Sequence, residues 1–338
     1  MQPTEEPMEP GWGHLKAGLT FDDLREAVEK SGYPLQSTTF ELLEQDFRLQ
    51  QEWGFRDRIS GDMRSIDLLA TRELGHLASA DSRIRPSLAV LIECKQSELP
   101  YVFFSPSAGP WRLDLPTVCG LKVDAVVAET NDNPSTWQFS PMDALDLTRH
   151  PFHQVEGFSI VSKCARKGPR LELSGTDAYN GMVMPLVSAA THFIEASRPP
   201  RTAHWFDAYL VCAVAIVDAP MIVAKNGDFG MSLEARPWCR LFRHEPKELG
   251  EFMGEEGRYL AVDVVHKDFM VEYFDDHLLP FAREFSKGAL KNDIVLATGE
   301  AFIEKSVFNP SCDLRDQFQP RERRPATSSE DSNESGAG

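Results

Sequence analysis

Two carboxylates and an ammonium, Asp67, Glu93 and Lys95, are the side chains of this sequence whose types and setting could do chemistry. Glu93 and Lys95 close the apolar run Leu88-Ala89-Val90-Leu91-Ile92. Such a run predicts a buried strand, along which alternate side chains share a face, so both charges project the same way, about 6.6 Å apart at ~3.3 Å per residue. An acid and a base at the end of an apolar strand are costly to bury unless they neutralise each other or hold a metal ion. Asp67 lies in a second apolar segment, Ser65-Ile66-Asp67-Leu68-Leu69-Ala70. Beside the first strand it would bring a second carboxylate to the same end of the sheet. Hard divalent cations, Mg²⁺ above all and Mn²⁺ as a substitute, take carboxylate oxygens and keep several waters. Asp67 and Glu93 suit such an ion, and the carbonyl of Cys94 could add a third oxygen. Lys95 would then orient a metal-bound water and offset charge on a phosphate under attack. The Cys94 thiol points to the opposite face, with no His placed to work with it, and is expected to be a small buried filler.

These residues need elements to position them. Phe40, Leu43, Phe47 and Leu49 recur at helical spacing, predicting a helix from about Ser37 to Trp53 with Gly54 as its stop. Its polar face carries Glu41 and Glu44, one turn apart and facing a similar direction, so either could be an acid of the site. Residues 54–60 alternate apolar and charged side chains and lead through Gly61-Asp62 into the strand of Asp67, predicting an antiparallel meander of three strands. Upstream, Thr20 and Asp23 read as the cap of a short helix. Downstream, residues 98–174 predict strands and long loops, residues 176–196 a helix, residues 208–217 and 221–224 a buried hairpin, residues 238–243 and 259–265 further strands, and residues 269–285 a last amphipathic helix.

A helix bearing an acid, a meander, Asp on the second strand and Glu-x-Lys at the end of the third resembles the PD-(D/E)xK nuclease superfamily, the restriction-endonuclease-like phosphodiesterases. The resemblance covers roughly residues 38–104, in Phe40-Glu41-Leu42-Leu43-Glu44, Ser65-Ile66-Asp67-Leu68-Leu69-Ala70 and Val90-Leu91-Ile92-Glu93-Cys94-Lys95-Gln96. It implies an α/β fold whose restriction-endonuclease-like mixed sheet, with a four-strand core, is flanked by helices and elaborated by additional strands and helices. It also implies Mg²⁺-dependent phosphodiester hydrolysis, with Gln96 near the scissile phosphate or the Lys. Asp67 and Glu93 would hold Mg²⁺, Lys95 would orient the water, and Glu41 or Glu44 would assist. The expected partner is nucleic acid, DNA in particular, with a protein partner or a second copy of the chain left open.

Composition bounds this expectation. The chain has 338 residues, enough for a sizeable core, and six scattered cysteines without a Cys-x-x-Cys pair, expected as free thiols. Nothing approaches a membrane span, and the start lacks the basic and apolar regions of a signal peptide, so the expected place is the cytoplasm. A formal net charge of −17 argues against non-specific coating of DNA but allows a locally basic groove, for which Arg56, Arg58, Arg64, Arg72, Arg83 and Arg85 are the candidates. The same charge motivates a rival from another class, a catalytically silent nuclease-fold module that binds or scaffolds. The expected organisation is an N-terminal extension with a short helix over residues 1–36, one elaborated α/β domain over 37–308 and a disordered tail over 309–338. Asp228-Phe229-Gly230 lacks the other parts of a kinase site and predicts a hairpin turn; His150 and His153 lack a third metal ligand; His192 predicts a packed helix residue.

Overall fold

Runs that are apolar on every position need partners on both faces, and here they become the centre of one sheet. A computed structural model describes residues 13, 15, 18–58, 60–75, 82–107, 113–130, 136–227, 230–245, 258–303 and 318–320. The chain opens with α1 (Phe21–Glu29) and α2 (Tyr33–Leu43), followed by β1 (Arg48–Arg56), β2 (Met63–Glu73) and β3 (Ile84–Gln96). Then come β4 (Tyr101–Ser107), β5 (Thr117–Cys119), β6 (Val126–Thr130), β7 (Thr136–Phe139), α3 (Pro141–Ala144), β8 (Gly157–Lys167) and β9 (Arg170–Ser174). Helix α4 (Gly175–Ala178) passes through a π-helical turn, Tyr179–Val183, into α5 (Met184–Ala196). Strands β10 (Phe206–Asp218), β11 (Met221–Gly227), β12 (Gly230–Ala235), β13 (Trp238–Glu245) and β14 (Arg258–His266) follow. The last elements are α6 (Met270–Glu272), a second π-helical turn (Tyr273–Leu278), α7 (Leu279–Lys291), α8 (Asp293–Thr298), β15 (Glu300–Ile303) and β16 (Gln319–Pro320).

The fold is mixed α/β. Twelve strands make one sheet in the order β1-β2-β3-β10-β14-β13-β8-β4-β11-β12, with β5 beside β10 and β9 beside β8, and β16-β15-β6-β7 form a second, smaller sheet. The meander β1-β2-β3 is antiparallel, whereas β10 lies parallel to β3 along its whole length, from Phe206 opposite Ile84 to Asp218 opposite Gln96. The crossover from the third strand to this parallel fourth one ends in α5, which packs over β1, β2, β3 and β10. On the other face lie α2, α7 and α8, burying Leu35, Leu43, Phe281 and Leu296 against Leu88, Val90 and Ile92. Among the described residues no helix is long and apolar enough to cross a membrane.

Several sequence expectations hold and several do not. Thr20 does cap α1: its hydroxyl accepts the Asp23 N–H at 3.1 Å, and the Asp23 carboxylate accepts the Thr20 N–H at 2.9 Å. The second helix, however, spans Tyr33–Leu43 and stops well before Trp53. Pro34 opens it, and Phe47, Leu49 and Trp53 belong instead to a tight turn and to β1, with Gly54 inside the strand. The runs 208–217 and 221–224 are strands but not a hairpin. β10 pairs with β3, β14 and β5, and β11 with β4 and β12, so Asp218-Ala219-Pro220 is a bend at which the chain changes neighbours. The connection from β3 to β4 bends beside it. The Ser97 N–H donates to the Asp218 carbonyl at 3.0 Å and the Tyr101 N–H to the Pro220 carbonyl at 2.9 Å, so the two bends travel together. The expected final helix is broken by the π-helical turn and extended to Lys291. Gln319 and Pro320, expected in a tail, pair with β15, and the rest of that segment lies outside the described residues, as do Asp228 and Phe229 of the expected β11–β12 turn. Cys94, Cys119, Cys164, Cys212 and Cys239 are free and buried, and Cys312 lies outside the described residues.

The core also holds charge. Arg240 and Asp263 face each other across β13 and β14, fully buried, with Nε to Oδ1 at 2.7 Å and Nη2 to Oδ2 at 2.8 Å, and the Tyr273 hydroxyl donates to the same carboxylate at 2.7 Å. The carbonyls of Phe152 and His153 accept from Arg240 Nη1, which places His153 beside a fixed cation. Burial first and Arg240 second depress the His153 pKa to about 4. A His whose pKa falls on folding contributes stability that is present above its unfolded value and is lost as pH falls through the folded one. Between about pH 6.5 and pH 4 this group should therefore remove about 3 kcal/mol. Denaturant midpoints measured across that window are expected to fall less steeply in His153→Leu; an unchanged slope would show that His153 does not carry the acid sensitivity.

Candidate active site

Glu93 and Lys95 share a face, as strand alternation requires, and meet there: Lys95 Nζ donates to Glu93 Oε1 at 2.6 Å. Glu93 is 6% exposed, and its second oxygen, Oε2, is buried without a hydrogen-bond partner. An orphaned carboxylate oxygen in the interior is expensive unless the group is protonated or a cation completes it. Desolvation raises the Glu93 pKa to about 7, with the charge of Asp67 adding to the rise and Lys95, then the Asp67 N–H, opposing it.

Asp67 arrives from the neighbouring strand by a local distortion. The β2–β3 ladder runs from Glu73 opposite Ser87 to Leu68 opposite Ile92 and then stops. Beyond it the Asp67 carboxylate takes the place of a ladder carbonyl, Oδ2 accepting the Cys94 N–H at 2.6 Å. The β1–β2 ladder also skips this level, pairing Gln51 with Leu68 and Trp53 with Ile66. Between those two stands Glu52 with φ of 47°, a left-handed conformation uncommon for a residue with a side chain and of a kind that clusters at functional sites. Its carboxylate accepts from the Gln36 amide at 3.2 Å and from the Ser65 hydroxyl at 3.2 Å, and the same Gln36 amide donates to the Asp67 carbonyl at 3.1 Å. Burial raises the Asp67 pKa, and the nearby charge of Glu52 adds to the rise while the Cys94 N–H and Lys95 oppose it. Glu52 and Gln36 thus join the constellation.

The remaining expected site residues separate from it. Glu41 and Glu44 are exposed and, among the described residues, their side chains make no hydrogen bond or ion pair. The reason is the face on which α2 packs: Leu35 and Leu43 share the cluster of Cys94, whereas Glu93 and Lys95 look to the other side of β3, where α5 packs and Asp177 of α4 lines the cleft with Lys95. Gln96 follows Cys94 rather than Lys95 and donates to the Glu29 carbonyl at 2.9 Å, so it fastens α1 to the strand end. The Cys94 thiol is buried filler: its sulfur lies 3.7 Å from the Thr39 hydroxyl, and burial pushes its pKa up to about 12.

The fit to a cation rests on few groups. Among the described residues no set of three or more His, Cys, Asp or Glu side chains stands close enough to hold a metal ion. What is present is the orphaned Glu93 Oε2 and an Asp67 whose charge repels it. Two such carboxylates fit a Mg²⁺ ion that keeps most of its waters, with the Cys94 carbonyl as a third oxygen.

Beside Lys95 opens a cleft of about 540 Å³, lined by Lys95, Glu98, Tyr101, Lys163, Asp177 and Gly181 among others. Gly181 belongs to the π-helical turn, a distortion frequent at functional sites because it re-aims side chains within a helix. Of the six arginines expected to form a groove, Arg83 is exposed and the other five are engaged. Arg58 pairs with Glu195, Arg64 with Asp57, Arg72 with Asp46 and Arg85 with Asp207, and Arg56 donates to the Gly61 carbonyl.

No protein-family model matches the sequence, and no match was found among curated proteins or solved structures.

Proposed function

We propose that the protein is a metal-dependent phosphodiesterase of the PD-(D/E)xK type that acts on nucleic acid, DNA in particular. The observation that carries this reading is the buried, orphaned Glu93 Oε2 beside Asp67 and Lys95, at the end of a strand in an antiparallel meander with a parallel fourth strand. That strand arrangement supports the restriction-endonuclease-like core implied by the sequence motif. Asp67 and Glu93 would hold the cation, with the Cys94 carbonyl alongside. Once bound, a divalent cation polarises a phosphoryl oxygen and makes a coordinated water more acidic.

The protein's own groups act around it. Lys95, fixed on a rigid strand, gives one N–H to Glu93 and has two left for the attacking water and the developing charge on the phosphate. Its bond to Glu93 sets the direction from which it does so. Glu52 strengthens the negative field at Asp67, and Gln36, donating to Glu52 and to the Asp67 main chain, holds the two acids in register. Helix α5 packs on the Glu93 face of β3, and Glu93 is buried there.

The test separates binding from turnover. Mg²⁺ or Mn²⁺ is expected to raise the thermal midpoint of the wild-type chain, since a ligand of the native state stabilises it by mass action, and to leave Asp67→Asn/Glu93→Gln unmoved. A rise of equal size in the double variant would remove these carboxylates as ligands. The second reading, a silent binding module, is favoured by Lys95 being already engaged with Glu93, and predicts no shift in either protein.

A further inference from the structure

The paired arginines leave a question of where an acidic chain would grip a polyanion. Resting on the nuclease reading above, we propose that the β8–β9 hairpin and the cleft beside Lys95 form a track for one strand of DNA, held by its phosphates and leading to Asp67 and Glu93. The hairpin is an antiparallel pair with Lys163 opposite Ser174, Ala165 opposite Glu172 and Lys167 opposite Arg170, turning at Gly168. Opposed residues share a face, and Lys163 and Ala165 line the cleft, so Lys167 and Arg170 continue that same face beyond it. Lys163 to Lys167 spans about 13 Å at ~3.3 Å per residue, enough to meet successive phosphates.

Cations outnumber acids at the outer end of this face, where Lys167 stands opposite Arg170, while Glu98 and Asp177 line the cleft with Lys95 and Lys163, and Glu172 stands opposite Ala165. Among the described residues Lys163 and Arg170 make no ion pair, and Lys167 reaches only Glu172, at 3.5 Å with both side chains well exposed, a contact of little strength. Arg58, Arg64, Arg72 and Arg85, around β1, β2 and β3, are by contrast engaged with acids. The track starts from Lys95 itself, across the ladder on which Tyr101 stands opposite Lys163. A cleft of about 540 Å³ is the size that takes one small ligand, which matches a nucleotide or two of a single strand. Contacts of this kind position the backbone without reading sequence.

The experiment uses the full-length protein without divalent cation and a fluorescein-labelled oligothymidylate, read by fluorescence anisotropy over a range of salt. Lys163→Glu/Arg170→Glu is expected to weaken binding at least about tenfold, and to lower the slope of log Kd against log salt by about 1.4, or ~0.7 for each lost phosphate contact on a single strand. Lys163→Gln/Arg170→Gln, with far-ultraviolet circular dichroism on both variants, serves if charge reversal disturbs folding and should give a smaller loss of the same kind. Wild-type protein that does not bind at low salt, variants that bind like wild type, or a duplex held as tightly as the single strand with the same dependence on the hairpin would each overturn the proposal. Cleavage is scored separately with Mg²⁺ and Glu93→Ala. Hairpin-dependent binding without cleavage upholds the track and removes the hydrolytic reading; Glu93-dependent cleavage with no role for the hairpin does the reverse.

Discussion

Lys95→Ala is expected to lower the rate of Mg²⁺-dependent cleavage of single-stranded DNA about 10²- to 10³-fold, the usual cost of removing one fixed donor from a developing negative charge. The loss should appear in kcat, because an interaction that strengthens only in the transition state leaves substrate affinity little changed. Glu93→Ala should abolish turnover, since it removes the acid that carries the orphaned oxygen. The two variants should differ in one further respect. Without Lys95 the Glu93 carboxyl keeps its burial and its neighbour Asp67 but loses the larger of the two groups that draw its pKa down, so it holds its proton to higher pH. The pH at which residual activity appears is therefore expected to move upward in Lys95→Ala. Activity that survives both substitutions would rule out the site.

The second large effect concerns stability. Arg240→Ala would leave Asp263 buried, with only the Tyr273 hydroxyl from its present set of side-chain donors. Breaking a buried pair from one side costs about 3–5 kcal/mol, which for a chain of this size lowers the thermal midpoint by on the order of 10 °C. Arg240→Met/Asp263→Leu should recover much of that loss, because it removes both charges and keeps the volume. Differential scanning calorimetry on the three proteins checks both statements. A double variant no better than Arg240→Ala would mean that the Arg240 bonds to the Phe152 and His153 carbonyls, rather than the ion pair, hold this region together.

How far the sequence spoke for itself depended on how local each signal was. The strand of Glu93 was legible because its residues are buried on both faces, and its alternation alone put Glu93 with Lys95 and Cys94 opposite. Asp67 was legible by its neighbours Ile66, Leu68 and Leu69. Glu52 was not, because its role depends on a left-handed backbone and on skipped pairing in two ladders, neither of which leaves a trace in residue type. A period-two signal was nevertheless available, as Leu49, Trp53 and Phe55 stand second, sixth and eighth in β1, the spacing of one strand face. It was masked by Phe40, Leu43 and Phe47, whose spacing fits a helix that stops too early to use it. Glu41 and Glu44 were misplaced by a geometric fact, the side of the sheet on which α2 packs, which follows from contacts far apart in the chain. The β10–β11 error is of the same kind: two apolar runs around Asp218-Ala219-Pro220 fit a hairpin locally, and only β3 and β4 decide otherwise.

The twin bends of β3–β4 and β10–β11 bear on how this protein can be altered or inherited. Residues 101–174 look, on a linear map, like an insertion that could be excised between a core meander and its fourth strand. In space they supply β4 and β8, which link β13 to β11 in the sheet path. Deleting them would strip β11 and β13 of those neighbours and leave two open edges, a known route to aggregation. The hairpin and the core are therefore one inseparable unit, to be lost or kept together.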